Sequence, residues 1–361
     1  MPASTETYND SNNNSSSSNK NKKNGYHEVS VGRRSFLAPD APARLSAGAQ
    51  RTAEEDLNET PARRKHCLRE LRGWVRQQRH LAHCRTDAPF LLRFLRFQKF
   101  DLGDAAAVVD KYVQMRTAHP EWFSGLDVRD PRMRDLVTSG YLFVLPGRDA
   151  AGRRVVFSRA ADMDPSRFTA ADLMRAHILA YETLLCDEEN QVKGLTYVFD
   201  ERDLNWSHVS IWSPTEISKA FSCCERALPL RHREIHFVHL PWTMAIVFQF
   251  AKGLLSSKLR QRFQTHATFE RLKTDSAFPS ELLPSGYHGG GDVTKKEMID
   301  LWLAEMDARR DEVLALDEMK YGLTQSGSSA SLSSGGGGDG GVLDVVGSMR
   351  KMENGKDSAN R

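Results

Sequence analysis

The chain has 361 residues, of which 40% are hydrophobic and 27% charged, and its formal net charge is +3. That length is enough for one large domain with attachments or for two small domains. The N-terminus has no apolar run after a basic start, which argues against a secretory signal. The longest uncharged stretch, residues 235–251, is interrupted by Pro241, so no membrane-spanning helix is predicted.

The aromatic residues place the predicted core in the middle of the chain. Almost all of the 17 Phe, 8 Tyr and 6 Trp lie between Trp74 and Trp302, and aromatic side chains supply much of the apolar area that a core buries. Residues 9–24 are rich in Asn and Ser, and residues 326–341 are rich in Ser and Gly. We therefore predict disordered tails over residues 1–55 and 323–361. The five cysteines are odd in number and scattered, which favours reduced thiols and a cytoplasmic setting.

Residues 60–99 are strongly basic, with 11 Lys or Arg against two acids. Leu68, Leu71 and Val75 recur near helical spacing, while arginines occupy the other face, so the segment predicts an amphipathic basic helix. Its basic face is either solvated or a surface for a membrane or an acidic partner. Asp87, followed by Pro89, is typical of the start of a second helix, and Asp101 of the start of a third.

From Tyr141 the hydrophobic period changes. Residues 141–159 contain two short apolar runs around a turn with Gly and Asp, which predicts a hairpin. Residues 195–200 and 235–240 are apolar runs typical of strands covered on both faces. Helical spacing returns in residues 170–187 and 214–228. Strands that alternate with helices predict an α/β fold, and the hairpin makes the sheet mixed.

The segment from Trp242 to Ala251 is helical in composition and apolar on every side, so only one face can pack on a sheet. Lys258 and Arg262 follow at a spacing of four residues, which places both on one helix face. An apolar helix beside a cationic turn is typical of an element that meets a membrane interface. A core helix followed by solvated charges is the alternative.

The motifs of several enzyme classes are absent from the sequence. It holds no phosphate-binding glycine loop, dinucleotide fingerprint or nucleophile elbow. His236 and His239 are close in sequence, but on a strand they would point to opposite faces and could not share one metal ion. We therefore predict a binding protein that is not an enzyme, with no catalytic residue, no metal site and no cofactor besides a bound hydrophobic ligand.

Several segments resemble the CRAL-TRIO lipid-binding family. Residues 90–116, FLLRFLRFQKFDLGDAAAVVDKYVQMR, resemble its N-terminal helical module. GLTYVFDERDLNWSH (194–208), PLRHREIHFVHLPW (229–242) and LPSGYHGG (283–290) resemble its lipid-binding domain. The similarity is greatest to the animal branch of α-tocopherol transfer protein, cellular retinaldehyde-binding protein and the clavesins.

The resemblance implies a fold and its boundaries. An N-terminal helical module, residues 56–125, would pack on an α/β CRAL-TRIO lobe, residues 126–291, and a C-terminal helix would span residues 292–322. The mixed sheet of the lobe would floor an apolar cavity that a movable gate helix closes. The predicted gate lies within residues 242–255 and includes Trp242, Ala245, Ile246, Val247, Phe248, Phe250 and Leu254.

The resemblance also implies two sets of site residues. Basic residues matching those that hold a bisphosphorylated inositol lipid are Arg231, Arg233, Lys258 and Arg262, and arginine suits bidentate capture of phosphate. His177 and Tyr181 stand where the family has small hydroxyl side chains, which implies a shorter or more polar cavity than the tocopherol site. The predicted pocket residues are Met174, His177, Tyr181, Leu195, Phe199, Ala220, Cys223, Cys224, Leu230 and Ile235.

The function that the resemblance implies is an intracellular carrier for a retinoid, a tocopherol or a similar lipid, with phosphatidylinositol bisphosphate binding at the membrane. We expect a monomer without a nucleic-acid partner, cytoplasmic and peripherally associated with endosomal or plasma membrane. The alternatives are an exchange protein for phosphatidylinositol or phosphatidylcholine, and a phosphoinositide-binding trafficking adaptor that transfers nothing.

Overall fold

A five-stranded sheet forms the centre of the molecule. The computed structural model describes residues 26–39 and 44–322. Its strands are β1 (Tyr26–Val31), β2 (Arg34–Pro39), β3 (Leu81–Ala82), β4 (Leu142–Arg148), β5 (Arg154–Ser158), β6 (Leu195–Asp200), β7 (His232–Val238), β8 (Phe263–His266) and β9 (Lys320–Tyr321). Its helices are α1 (Ala47–Leu57), α2 (Pro61–Gln77), α3 (Ala88–Phe97), α4 (Leu102–Ala118), α5 (Pro120–Phe123), α6 (Pro131–Ser139), α7 (Ala170–Leu185), α8 (Glu188–Lys193), α9 (Trp206–Val209), α10 (Pro214–Arg226), α11 (Ala245–Gly253), α12 (Ser257–Arg260), α13 (Phe269–Ser276), α14 (Lys295–Ala308) and α15 (Arg310–Leu314).

The strand order in the central sheet is β4-β5-β6-β7-β8. β4 runs antiparallel to β5, and each later strand is parallel to its neighbour. The predicted hairpin is confirmed as β4 and β5, and the two apolar runs are confirmed as β6 and β7. Helices connect the parallel strands, as crossover connections require, so the mixed α/β class is confirmed.

The helical module begins at the positions that the sequence predicts. The Asp87 side chain accepts a hydrogen bond from the Phe90 N–H at 3.2 Å and caps α3. Asp101 caps α4 in the same way, accepting from the Asp104 N–H at 2.9 Å. Each cap satisfies one of the backbone donors that a helix start leaves unpaired.

The prediction of a disordered tail over residues 1–55 is wrong for residues 26–39 and 44–55. β1 and β2 pair as an antiparallel hairpin, and Phe36 lies buried with its ring centre 4.4 Å from the Arg85 guanidinium carbon. In α1, Ala49, Ala53 and Leu57 form a buried stripe at a spacing of four residues. Two alanines and one leucine, with no aromatic residue, do not make the composition of this segment differ from that of a disordered tail. Residues 1–25 and 40–43 lie outside the described residues.

The predicted single helix over residues 292–322 is corrected to several elements. α14 and α15 are followed by a 3-10 turn, Ala315–Glu318, and by β9, which pairs antiparallel with β3 of the helical module. The C-terminal segment therefore ties the lobe back to the N-terminal helices. The predicted tail over residues 323–361 lies outside the part of the chain that the structure describes.

A buried ion-pair network joins the helical module to the lobe. Glu182 of α7 is fully buried and accepts hydrogen bonds from Arg93 of α3 at 2.8 Å and from the Tyr112 hydroxyl of α4 at 2.6 Å. Arg116 approaches the same carboxylate at 3.5 Å. The arginines of α3 can therefore be buried, because each of them has a carboxylate partner inside the protein.

A second network lies beside the first. Arg96 of α3, also fully buried, donates two hydrogen bonds of 2.8 Å to Glu59 and one of 2.8 Å to Gln191 of α8. On α2, by contrast, Arg69 and Arg76 are exposed. The basic segment 60–99 thus divides into arginines that hold the fold together and a solvent-facing side of α2.

We expect Glu182→Gln to destabilise the fold by about 3–5 kcal/mol, because it leaves the buried Arg93 without its countercharge while keeping the volume of the side chain. Urea unfolding followed by circular dichroism measures the change in the free energy of unfolding. The matched control is Glu70→Gln, which removes an exposed partner of Arg69 and should leave the free energy of unfolding nearly unchanged. Equal effects of the two variants would contradict a role for the buried network.

Candidate functional site

A cavity of about 360 Å³ lies between the central sheet, α7, α10 and the segment 242–259. Side chains alternate along a strand, so every second residue of a strand can face it. Tyr197 and Phe199 of β6, Ile235 and Phe237 of β7, and Phe263 of β8 do so. These residues form a largely aromatic floor.

Two helices supply the walls. In α7, Leu173, Met174, His177 and Tyr181 line the cavity, and in α10, Ile217, Ala220, Phe221 and Cys224 do. Both sets recur at three or four residues, the spacing of one helix face. The space that they enclose is mostly apolar, with a few polar groups, and is of the size of a small-molecule site.

The polar groups in the walls are largely paired with one another. The Tyr141 hydroxyl lies 3.1 Å from His177 Nε2, and the Tyr181 hydroxyl lies 3.4 Å from His177 Nδ1. The Tyr197 hydroxyl lies 2.7 Å from His232 Nδ1. Burial lowers the pKa of His177 and of His232 to about 4. Both imidazoles are therefore neutral at pH 7, and these groups add no net charge to the cavity.

Seven of the ten predicted pocket residues line the cavity: Met174, His177, Tyr181, Phe199, Ala220, Cys224 and Ile235. Leu195, Cys223 and Leu230 do not line this cavity. Leu195 points to the same face as Tyr197 and Phe199 but stands at the start of β6, short of the cavity. Cys223 is one position off the lining face of α10, and both it and Leu230 are buried in the surrounding core.

Sequence reasoning missed other lining residues, among them Tyr141, Ser158, Glu201 and His208. For Glu201 a signal was present, because it continues the two-residue alternation of Tyr197 and Phe199 beyond the end of β6. Tyr141 and His208 lie outside regular strands, so no periodicity marks them.

The predicted gate segment closes one side of the cavity. It forms a 3-10 turn, Trp242–Met244, and then α11. Val247, Phe248 and Ala251 face the cavity, and the Phe248 ring centre lies 4.8 Å from that of Phe237.

The opposite face of this segment is apolar and exposed. Trp242, Ile246 and Leu254 are 79%, 55% and 39% exposed, Ala245 is exposed, and Phe250 is half-buried. No residue of α11 itself is buried. The helix therefore presents apolar side chains both inward and outward, as the sequence indicates.

Three of the four predicted phosphoinositide residues lie close enough to influence one another. Arg231 donates to the Val192 carbonyl, Arg262 to the His232 carbonyl, and Arg233 to the Lys193 carbonyl at 3.3 Å. We call Arg231, Arg233 and Arg262 the arginine cluster. Burial first, and then the charge of Arg233, lower the pKa of Arg231 to about 9.

The arginine cluster is short of countercharge. Asp56 approaches Arg233 at 3.5 Å, whereas the other contacts named above are to neutral carbonyls. Lys258, the fourth predicted residue, is exposed on α12 and has no hydrogen bond or ion pair with any described residue.

Gly194 fixes the backbone beneath the arginine cluster. It has a φ of +80°, and a Cβ there would lie 2.3 Å from the Arg231 carbonyl oxygen, so glycine is required at this position. The pairing of β6 with β7 shifts by one residue between Leu195 and Thr196, which leaves Arg233 outside the ladder. Such an irregularity re-aims a side chain.

Residues 26–39 and 44–322 contain neither a cluster of metal ligands nor a membrane-spanning helix. Nowhere in them do three or more His, Cys, Asp or Glu side chains converge as ligands for a metal ion. Nor is any helix there of the length and apolarity needed to span a bilayer. His236 and His239 lie apart: the first contacts His266 at 3.1 Å, and the second contacts Asp200 at 3.2 Å.

Comparison with family models divides the chain into two matched regions. Residues 138–289 match the model "CRAL/TRIO domain". Residues 60–133 match the model "Pinta-like, UBA domain". The first region contains the central sheet, the cavity and the arginine cluster.

The chain is also similar to curated proteins. It is 30% identical to Clavesin-1 of Rattus norvegicus over 247 residues, which cover 68% of this chain and 70% of that protein. It is 29% identical to Clavesin-2 of Homo sapiens over 247 residues, covering 68% and 75%. A solved structure described as "Crystal structure of Sfh5" covers 74% of this chain and 99% of its own at 10% identity and a TM-score of 0.43, too low to carry an argument.

We expect Ala220→Phe to fill the cavity, because Ala220 lines it opposite the sheet. Uptake of the neutral apolar fluorophore N-phenyl-1-naphthylamine, measured by its fluorescence gain, should fall by at least roughly tenfold, the equivalent of about 1.4 kcal/mol. Ala304→Phe, at an exposed position of α14, makes the same change elsewhere and should leave the uptake unchanged. Full uptake by Ala220→Phe would show that the fluorophore binds elsewhere.

Proposed function

The chain belongs to the CRAL-TRIO family, in its clavesin branch, and is a lipid-binding protein rather than an enzyme; from this premise we propose that it carries one small hydrophobic ligand and docks on phosphoinositide membranes. The observation that carries the proposal is the mostly apolar cavity closed by α11. A retinoid, a tocopherol or a lipid of similar size suits a cavity of about 360 Å³. The proposed setting is the cytoplasmic face of endosomal or plasma membrane, with the protein acting as a monomer.

The gate supports the proposal by having two apolar faces. Phe248 contacts the aromatic floor, whereas Trp242 and Ile246 are directed to solvent. Exposed apolar patches of this kind mark sites that meet a partner or lipid. In the proposal the outer face enters the membrane interface. Apolar area buried there compensates for the apolar area that the helix no longer buries against the cavity.

The arginine cluster supports membrane docking through its charge. Arg231 is short of countercharge and lies beside two other arginines, so a dianionic or more highly charged head group would relieve their repulsion. Guanidinium groups capture phosphate in bidentate geometry. Lys258, exposed on α12, extends the positive surface towards the gate.

The same stretch of chain carries both features. The cluster occupies the start of β7 and the residue before β8, and the gate lies in the connection between these two strands. Glu225 of α10 accepts from the Ser256 N–H at 3.2 Å at the end of the gate segment, and its charge also acts on Arg262. Head-group binding would therefore change the electrostatic environment of the Glu225 contact at the end of the gate segment. The open state becomes more populated to the extent that the lipid binds it more tightly than the closed state.

We expect the double variant Arg231→Glu, Arg262→Glu to weaken binding to vesicles containing phosphatidylinositol bisphosphate by more than roughly tenfold, since each basic residue near an anionic surface contributes about 1 kcal/mol. Co-sedimentation measures this. Uptake of N-phenyl-1-naphthylamine should be unchanged, because neither residue lines the cavity.

The matched control reverses the same number of charges on the exposed side of α2, with Arg69→Glu and Arg76→Glu. If this control weakens vesicle binding as much as the cluster variant does, α2 or the overall charge is responsible, and the assignment to the arginine cluster is wrong.

Native mass spectrometry of protein purified from its own cells tests the carrier function itself. We expect a bound mass in the range of a small isoprenoid lipid. A phospholipid mass would indicate an exchange protein instead, and a protein that stays empty while it still sediments with phosphoinositide vesicles would indicate an adaptor.

A further inference from the structure

One acidic side chain stands in the wall of the apolar cavity. Among the described residues that line it, Glu201 is the only acidic one. No residue that the structure describes donates a hydrogen bond to its carboxyl or forms an ion pair with it. The other polar groups of the wall differ: Tyr141 and Tyr181 have His177, and His208 has Asn205 at 2.9 Å.

The neighbouring cations are already engaged. Asp200, the residue before Glu201, is fully buried and accepts from Arg202 at 2.7 Å, with Arg159 at 3.6 Å and His239 at 3.2 Å. Burial, followed by the charge of Asp200, raises the pKa of Glu201 to about 7. Glu201 is partly buried, and its carboxyl lacks a hydrogen-bond donor among the described residues, which a ligand in the cavity could supply.

The position of Glu201 gives the cavity a polar end. It follows β6 directly, and Ser158, the last residue of β5, is paired with Phe199, two residues before Glu201, and lines the same cavity. Tyr141, which also lines the cavity, lies next to Ser158, because its carbonyl accepts a hydrogen bond from the Ser158 hydroxyl at 2.7 Å. The gate side chain Phe248 contacts β7 and β8, towards the other edge of the sheet. A ligand with one polar end can thus lie with its head at Glu201 and its apolar body under the gate.

We propose that Glu201 receives the head group of the carried lipid and that this head group is a hydroxyl, so that the protein selects lipophilic alcohols over lipophilic acids and ethers. A hydroxyl donates the hydrogen bond that the carboxylate lacks. A carboxylic acid would bring a second negative charge to the same place, and an ether has no donor. An ammonium group would add a second charge to be desolvated. The inference rests on the proposed carrier function.

The test uses the full-length protein with three probes that share one isoprenoid body: farnesol, farnesyl methyl ether and farnesoic acid. Each displaces N-phenyl-1-naphthylamine from the cavity at pH 8. We expect the wild-type protein to bind farnesol roughly tenfold or more tightly than the ether, the ratio that corresponds to a hydrogen bond to a charged acceptor. In Glu201→Leu this ratio should fall to near one.

A second variant guards against misfolding of the first. Glu201→Gln keeps the size of the side chain and removes the charge, and it should bind farnesoic acid roughly tenfold more tightly than the wild type does. The matched control is Glu270→Leu, which removes an exposed acid of α13 outside the cavity and should keep the wild-type ratio of farnesol to ether.

The outcomes separate this inference from the proposed function. If no isoprenoid displaces the fluorophore from the wild-type protein, the carrier function fails. If all three probes bind equally to the wild type, or if Glu201→Leu still prefers the alcohol, the carrier function stands and the role of Glu201 is wrong.

Discussion

The rest of the structure depends on the burial of one carboxylate, that of Glu182. A buried charge is tolerated only when it is paired and hydrogen-bonded, and Glu182 meets that requirement through Arg93 of α3 and Tyr112 of α4. The position of α7 is thereby set by the helical module and not by whatever occupies the cavity. Since α7 also carries Met174, His177 and Tyr181, the same helix joins the fold on one face and lines the cavity on the other.

This arrangement lets an apolar cavity persist in a stable fold. Space without packing partners loses dispersion contacts along its walls, so elements around a cavity need support from elsewhere. β9 pairs with β3, and Phe36 of the N-terminal hairpin lies against Arg85, so both ends of the described chain brace the helical module. A ligand that binds only the folded state would add its binding free energy to this stability.

Regular periodicity made much of this architecture predictable. The helix starts at Asp87 and Asp101, the hairpin and the buried strands follow from local pattern, and seven of the ten residues that the resemblance implies for the pocket lie in the wall of the cavity. The partners of the buried arginines were not predictable, because Glu182 lies 89 residues beyond Arg93 and nothing local distinguishes a paired internal arginine from a solvated one. That Leu195 and Cys223 lie off the cavity was not predictable for a similar reason, since tertiary packing decides where a cavity ends along a strand or around a helix.

The fold alone does not satisfy the environment of α11, the predicted gate helix. α11 has no buried residue, and its apolar side chains divide between the cavity and solvent, so no single position of the helix can remove all of them from water in the protein alone. Few buried contacts mean a low local stability. Phe248 of α11 contacts Phe237 and Phe263, and any apolar phase that accepts Trp242 and Ile246 competes with this contact. Under the proposed docking, the helix lies between two alternatives of similar chemistry, and the small difference in binding free energy that an anion at the neighbouring arginine cluster would supply would be enough to change its population.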